Sequence, residues 1–142
     1  MKKNIYEELE IILLSTYCNI LVDILKRHKS LSLIKTITFS YLLKKNKYMK
    51  SSVYTTSNKN DVVLKCLSLL SGLFKDYNDN IPYIIKAIHL LIDSKVLTEE
   101  SGELIYSEQV VTEVESSFIH LAIKESKRYS DMQFLKEVVK NV

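Results

Sequence analysis

Histidines and cysteines are the residues of this sequence best suited to metal or acid-base chemistry, but their spacing argues against both. The three histidines, His28, His89 and His120, are far apart along the chain, and none has a second ligand residue at metal-site spacing. The two cysteines, Cys18 and Cys66, fall in apolar helical stretches, where a thiol usually packs as a small hydrophobe. We therefore predict no metal site and no cofactor.

Phosphate loops and convergent carboxylates are not evident either. Gly72 and Gly102 are the only glycines, and neither opens a helix after a strand, as a phosphate-binding loop requires. The paired carboxylates are the runs Glu7-Glu8 and Glu99-Glu100, and adjacent side chains do not converge on one substrate. We expect His120, which is flanked by apolar residues, to be a satisfied, partly buried side chain. The prediction is a protein that is not an enzyme and has no small-molecule substrate.

A basic block is the main candidate for a binding site. Between Asp23 and Asp61 there is no acidic residue and the local charge is +9, so the rest of a chain that carries +3 overall has −6. Such a block suits non-specific contact with DNA phosphates or with an acidic protein surface. A solvated, lysine-rich helix end and loop would give the same pattern. The residues of the block are Lys26, Arg27, Lys29, Lys35, Lys44, Lys45, Lys47, Lys50 and Lys59.

The elements that position these residues are predicted to be helices in a single domain. A chain of 142 residues can bury a core of its own, and 2 glycines and 1 proline provide too few turn residues for an all-β protein. The predicted fold class is mainly all-α, with five to six helices and one short β-hairpin. Helical periodicity predicts helices over about 6–28, 31–47, 61–77, 81–94 and 109–128, and a short last helix after residue 130.

Polar residues at the predicted helix starts serve as N-caps, because their side chains accept hydrogen bonds from free backbone N–H groups. A turn is predicted over residues 76–80, which places Pro82 in the first turn of the fourth helix. Gln133 gives the last helix the spacing of a capping box. The predicted N-caps are Ser30, Asn58 or Asn60, Asn80 and Ser130.

Helices followed by a hairpin are the parts of a winged-helix domain. The hairpin is predicted from the short apolar runs 96–98 and 104–106, which flank a polar loop containing Gly102. We predict a winged-helix-like core over about residues 31–106, followed by C-terminal helices over about 108–142.

The predicted helix 81–94 would be the one that enters the DNA major groove. Its polar edge is limited to Lys86, His89 and Asp93, and it has no arginine, asparagine or glutamine to make paired hydrogen bonds with base edges. The glutamates of the hairpin loop would also repel phosphates. A winged helix in this chain is therefore expected to bind protein, and DNA contact would rely on the basic block.

The start of the sequence and its apolar runs indicate the compartment. No signal-like or arginine-rich segment precedes the first predicted helix, and no apolar run reaches the roughly 18 to 20 residues of a membrane span. We expect a cytoplasmic protein with reduced thiols and no membrane partner.

Residues 17–106 contain four apolar stretches whose positions and lengths form a pattern. They are 18–25 (CNILVDIL), 31–35 (LSLIK), 65–70 (KCLSLL) with Phe74, and the passage from 87–91 (AIHLL) to 104–105. This layout is similar to that of the small middle components of bacterial ABC-three-component and Lamassu-type defence systems. The resemblance implies a non-catalytic subunit that bridges an SMC-like coiled-coil ATPase and an effector, often a nuclease, in defence against phage or plasmid DNA. It assigns no functional residue.

Three functions are therefore open at the level of sequence. The first is the interaction subunit, which is favoured by wide apolar stripes that could exceed what one small core can bury. The second is a small nucleic-acid-binding regulator that uses the basic block. The third is a helical inhibitor that blocks a protein partner by helix-in-groove contact.

Overall fold

The computed structural model of the protein describes residues 2–46, 59–108 and 117–142. Within these residues the chain forms six helices and three short strands, which confirms the mainly helical fold class. The helices are α1 (Lys2–His28), α2 (Leu33–Asn46), α3 (Lys59–Ser68), α4 (Phe74–Asp93), α5 (Phe118–Ser126) and α6 (Asp131–Asn141). The strands are β1 (Ser30–Ser32), β2 (Leu97–Glu100) and β3 (Glu103–Tyr106).

Helix α1 is the longest element, with 27 residues and a length of about 40 Å at 1.5 Å per residue. Tyr17, Leu21 and Ile24 recur on one side of it and are completely buried, as the helical period predicts. In the described ranges, no helix combines the length and the apolar character needed to cross a membrane.

Strand β1 was not predicted. Ser30 belongs to this strand, so the prediction that Ser30 is the N-cap of α2 is wrong. The backbone turns at Lys29, whose φ is 69°, and residues 30–32 then pair antiparallel with β3, with Leu31 opposite Leu104. Because the backbone groups of Ser30 belong to this ladder, α2 begins only at Leu33. Both leucines of the pair are buried, so the sheet contributes to the core.

The predicted hairpin is confirmed. Strands β2 and β3 pair antiparallel through a two-residue turn in which Ser101 has φ 52° and Gly102 has φ 81°. Two positive φ values are typical of a type I′ turn, and glycine adopts this conformation without steric cost. With β1 the hairpin forms a three-stranded sheet in the order β1-β3-β2.

The predicted turn over residues 76–80 is wrong, because α4 runs through it. The chain turns earlier, at residues 69–73, where Gly72 has φ 77°. Asn80 is not an N-cap but a buried residue within α4, and Pro82 lies in the helix interior instead of the first turn. Proline removes one backbone donor, which leaves the carbonyl of Asn78 without its helical partner. Asn78 and Pro82 are both exposed, so water can hydrate that carbonyl.

Helix α3 ends at Ser68, which makes it shorter than predicted. It already includes Asn60, so Asn60 is not its N-cap, and Asn58 lies outside the described residues. Of the thiols predicted to pack as hydrophobes, Cys66 is buried in this helix, whereas Cys18 on α1 is only partly buried.

The C-terminal helices share the core of the rest of the chain. Phe118 and Ile123 of α5 and Phe134 and Val138 of α6 belong to the same buried cluster as the apolar residues of α1, α2 and α3. Ser117 caps α5 by accepting a hydrogen bond from the backbone N–H of His120. The earlier part of the fifth predicted helix, residues 109–116, lies outside the described residues.

The capping box predicted at the start of α6 is confirmed. The hydroxyl of Ser130 accepts from the backbone N–H of Gln133 at 3.1 Å, and the Gln133 side chain accepts from the backbone N–H of Ser130 at 2.9 Å. These two bonds satisfy backbone N–H groups at the start of α6 and so stabilise its first turn.

We expect Tyr17→Phe to lower the free energy of unfolding by about 1–3 kcal/mol, because it leaves a buried acceptor without a donor. The Tyr17 hydroxyl donates to Oδ1 of Asn80 at 2.7 Å, and both side chains are buried. Burial also raises the pKa of Tyr17, which keeps its proton on the hydroxyl. Urea unfolding measures the change. Tyr6→Phe, at an exposed position, is the control, and equal small effects of the two substitutions would contradict the prediction.

Candidate functional site

The fold brings together two histidines that the sequence separates. Nε2 of His28, at the end of α1, lies 3.1 Å from Nδ1 of His120 in α5, and the ring planes are inclined by only 13°. The two residues are 4% and 3% exposed. Sequence spacing gave no indication of this pair, because the two histidines are 92 residues apart. His120 was expected to be satisfied and partly buried; it has a side-chain partner, and its burial is more complete than expected.

The carboxylate of Asp23, in α1, also contacts this pair of histidines. Oδ2 of Asp23 lies 3.4 Å from Nε2 of His120, and Oδ1 of Asp23 accepts a hydrogen bond from Nε of Arg27 at 2.9 Å. The hydrogen bond with His120, followed by the contact with Arg27, lowers the pKa of Asp23. If Nε2 of His120 donates to Asp23, its Nδ1 is an acceptor for Nε2 of His28, which satisfies all three groups.

A lysine also contacts the backbone at His28. Nζ of Lys127 donates to the backbone carbonyl of His28 at 2.7 Å and so caps the C-terminal end of α1. Burial lowers the pKa of His28 to about 3, and the positive charges of Lys127 and Arg27 act in the same direction, against a smaller opposing effect of Asp23. We therefore treat His28 as a neutral ring at physiological pH.

The geometry of this cluster suits a structural contact better than catalysis or metal binding. Asp23 meets Nε2 of the His120 ring, whereas His28 meets Nδ1 on its other side, so the three groups do not converge on one point. No group of three or more histidine, cysteine or acidic residues in the described part of the chain could hold a metal ion. The cluster ties α5 to the end of α1 and offers a substrate little access, because both rings are buried.

Among the described residues, the basic block is not wholly exposed. Lys35, at the start of α2, is buried, and its Nζ donates to the backbone carbonyl of Tyr129 at 2.6 Å. Burial lowers the pKa of Lys35. This lysine therefore connects α2 to the segment between α5 and α6 and is not available to a phosphate.

Other members of the block also make contacts within the chain. Lys45 forms an ion pair of 2.7 Å with Asp76, and Nζ of Lys44 lies 5.9 Å from the ring centre of Tyr17. Arg27 is bonded to Asp23, as described above. The remaining members are partly buried Lys26, exposed Lys29, Lys59 at the start of α3, and Lys47 and Lys50, which lie outside the described residues.

Helix α4 and the hairpin present little that could read DNA. Lys86, on the expected polar edge of α4, forms an ion pair of 2.7 Å with Glu10 of α1. Ile85 and Leu90 are exposed on the same helix, as are all three glutamates of the hairpin. The surface of α4 therefore combines apolar side chains with few groups that can make paired hydrogen bonds to bases.

In the part of the chain that the structure describes, the largest run of exposed apolar side chains lies near the start of α1. We call residues 5–12 the α1 tip; its five apolar residues, Ile5, Tyr6, Leu9, Ile11 and Ile12, are 58% to 75% exposed. Three of them, at positions 5, 9 and 12, fall within an arc of about 60° on the helix, away from the buried side. The tip also has three glutamates and no basic residue.

A second exposed apolar surface lies on α6. We call Met132, Leu135 and Val139 the α6 stripe; they are 64%, 37% and 64% exposed. The stripe lines a shallow depression of about 820 Å³ that also contains Tyr129. The charged residues of this depression are three cations and one carboxylate: Arg128, Lys136, Lys140 and Glu137.

Both exposed surfaces differ from the site predicted from sequence, which was the basic block. Comparisons of the chain with the profiles of known protein families, with curated proteins and with solved structures find no match.

Proposed function

We propose that this protein is a non-catalytic interaction subunit that bridges two larger proteins. One partner docks on the α1 tip and the other on the α6 stripe. The observation that supports this proposal is the presence of two exposed apolar surfaces, on different helices and with opposite charge. Exposed apolar side chains that lie together are typical of protein-binding surfaces, because a partner can remove them from water.

The charges beside each surface indicate which charge its partner would carry. Glu7 and Glu8 accompany the apolar residues of the α1 tip, whereas Glu10 is paired with Lys86 of α4, so this surface suits an apolar groove or helix with basic residues at its rim. In the depression at the α6 stripe, Lys140 is paired with Glu137 and Arg128 with Glu125. Lys136 adds a further positive charge, so this surface suits an amphipathic helix with acidic residues at its edge. Two surfaces with different preferences are what a bridging subunit needs.

We further propose a winged-helix-like core that binds protein instead of DNA. The strand order β1-β3-β2 and the position of α4 directly before the hairpin support this proposal. The exposed Ile85 and Leu90 of α4, together with the acidic hairpin, favour a protein surface over phosphates as the contact.

The resemblance to the defence-system components supplies a candidate for the partners. We propose that they are an SMC-like coiled-coil ATPase and an effector in anti-phage or anti-plasmid defence, in the cytoplasm. DNA would then be bound chiefly by the partners, because several residues of the basic block are engaged within the chain.

Pull-down of the tagged protein from its native cell, before and after nuclease treatment, tests the bridging function. We expect two protein partners that survive nuclease and are identified by mass. Leu9→Asp should remove one of them and Val139→Asp the other, because each substitution places a charge in one apolar surface. Asn78→Asp, which adds the same charge at an exposed position of α4, is the matched control and should retain both.

Two results of this pull-down would contradict the proposal. Recovery of nucleic acid alone, lost on nuclease treatment, would favour the regulator that uses the basic block. A single partner that is lost with both substitutions would indicate one composite surface, as expected for an inhibitor, instead of a bridge.

A further inference from the structure

We propose that His28 and His120 form an acid-operated latch, which holds the end of α1 against α5 while His28 is neutral and releases it when His28 takes up a proton. The two histidines are 92 residues apart in the sequence, and both are buried where α1 ends. The latch consists of contacts within one chain, so it operates whether or not the partners proposed above are bound.

The geometry of the pair is that of a direct hydrogen bond between ring edges. A ring nitrogen lies roughly 1.1 Å from the centre of a five-membered ring whose bonds are about 1.33 Å long. The ring centres are 5.4 Å apart and the two nitrogens 3.1 Å apart, so both nitrogens lie close to the line between the centres. The planes are inclined by 13°, which makes the rings nearly coplanar. In this arrangement one nitrogen donates and the other accepts.

Asp23 determines which ring donates. Its Oδ2 lies 3.4 Å from Nε2 of His120, so this nitrogen carries a proton and Nδ1 of the neutral His120 ring accepts from Nε2 of His28. A positive charge on His120 would lie beside the Asp23 carboxylate. The carboxylate bonds to His120 and not to His28, so it compensates a charge on His28 less well.

A proton on His28 is therefore unfavourable while the latch is closed. Burial lowers the pKa of His28 to about 3, and Lys127, which donates to the backbone carbonyl of His28, adds a positive charge near the ring. With a proton added to both rings, two N–H groups would also face each other across the contact. The other charged groups that act on His28 or on Lys127 are Asp23 and Arg27 of α1, Lys29, Lys35 of α2 and Glu103 of β3.

The position of the latch allows a local opening. His28 is the last residue of α1, and the next residue, Lys29, has φ 69°, a conformation that residues other than glycine rarely adopt. Besides the ring contact, two hydrogen bonds hold this end of the helix: Lys127 donates to the carbonyl of His28, and the backbone N–H of Tyr106 donates to the carbonyl of Lys29. The middle of α1, around the buried Leu21, stays packed when the end opens.

The opening should become more frequent in acid, because a released His28 regains the ordinary histidine pKa of about 6.5. Below that pH the open state binds a proton that the closed state excludes, since the pKa of His28 is about 3 in the closed latch. From pH 6.5 to pH 4.5 the equilibrium constant for opening should rise about 50-fold.

Amide hydrogen exchange of the full chain at several pH values and low urea concentrations tests the latch. The reporters are the N–H of Lys29, which donates to the carbonyl of Leu25, and the N–H of Tyr106. After correction for the intrinsic effect of pH on exchange, both should lose protection about 50-fold from pH 6.5 to pH 4.5. Low urea should leave their exchange unchanged, because a local opening exposes little surface. The amide of Leu21 should be better protected and sensitive to urea.

His28→Gln should remove most of this pH dependence, because glutamine can donate to His120 but does not titrate. His89→Gln is the matched control: His89 is an exposed histidine of α4, and its loss should leave the pH dependence as in the wild type. An equally steep pH dependence in His28→Gln would overturn the proposal.

Two results with the wild type alone would also overturn it, and neither depends on whether a variant folds. Reporter amides that exchange as slowly as that of Leu21, with the same sensitivity to urea, would mean that the end of α1 opens only in global unfolding. Nitrogen chemical shifts of the histidine rings give the second test. We expect a neutral His28 ring with its proton on Nε2 from pH 6.5 to pH 4.5, whereas titration of His28 near pH 6.5 in the folded protein would contradict the closed latch.

Discussion

Phe134→Ala is expected to lower the free energy of unfolding by about 3–5 kcal/mol, the range observed when a buried phenylalanine is truncated. Phe134 is completely buried, and its ring centre lies 5.4 Å from that of Phe39 in α2. Phe134 and Val138 are the buried residues of α6, so the substitution removes the larger of the two side chains that hold this helix on the core.

Urea unfolding followed by circular dichroism measures this effect. Met132→Ala on the same helix is the matched control, and we expect a change within about 0.5 kcal/mol because Met132 is exposed. Both variants should unfold in one transition, since α6 shares its core with α1 and α2. A separate early transition in the wild type, or a loss for Phe134→Ala as small as that of the control, would mean that α6 is not part of this core.

Acid is expected to destabilise the protein through His28. The pKa of His28 is about 3 in the folded protein and about 6.5 in an unfolded chain, so between these values the unfolded state binds a proton that the folded state excludes. Stability should therefore fall as the pH falls, by up to about 1.4 kcal/mol per pH unit. Between pH 6.5 and pH 4.5 the expected loss is about 2 kcal/mol.

His28→Gln separates this effect from other titrations. The glutamine amide can donate to Nδ1 of His120 in place of Nε2 of His28, but it does not titrate. Asp23 adds a loss of stability mainly at lower pH, because its pKa lies below the ordinary value of 3.8. Denaturant unfolding at several pH values between 6.5 and 4.5 should give a flatter profile for the variant. An equally steep decline in the variant would assign the pH dependence to another group.

Helical periodicity predicted most of the helices, because their buried faces repeat every three to four residues. The hairpin was predicted for an equally local reason, since the glycine at position 102 permits the positive φ of a tight turn. Strand β1 was not predictable in this way. Its three residues, Ser-Leu-Ser, have no pattern of their own, and they become a strand only because Ile105 and Leu104 lie opposite Ser30 and Leu31.

The error at residues 76–80 has a different cause. A run of aspartate and asparagine usually marks a turn, because these side chains compete for backbone hydrogen bonds. In α4 the run faces solvent at Asn78 and Asp79, while Asn80 points inward and bonds to Tyr17. The partner of Asn80 lies 63 residues away, so tertiary contact overrides the local preference.

The candidate site was less predictable than the fold. His28 continues the buried stripe of Tyr17, Leu21 and Ile24 by one more turn, and that spacing could have indicated its burial. Its pairing with His120 depends on how α5 packs and has no local signal. The α1 tip has the same apolar period as the rest of α1, so the sequence does not reveal that neighbouring elements leave it uncovered.

The pairing of β1 with β3 has a consequence for synthesis on the ribosome. The first strand is complete at residue 32, but its neighbour in the sheet is complete only at residue 106. The contact of His28 with His120 can form only later still, because His120 follows His28 by 92 residues. A protein in which residues near the start of the chain contact residues near its end has a high contact order. We therefore expect slower folding than in a helical bundle of equal length. The emerging N-terminal half would meanwhile keep Leu31 and the end of α1 uncovered, and such surfaces are typical binding sites for chaperones.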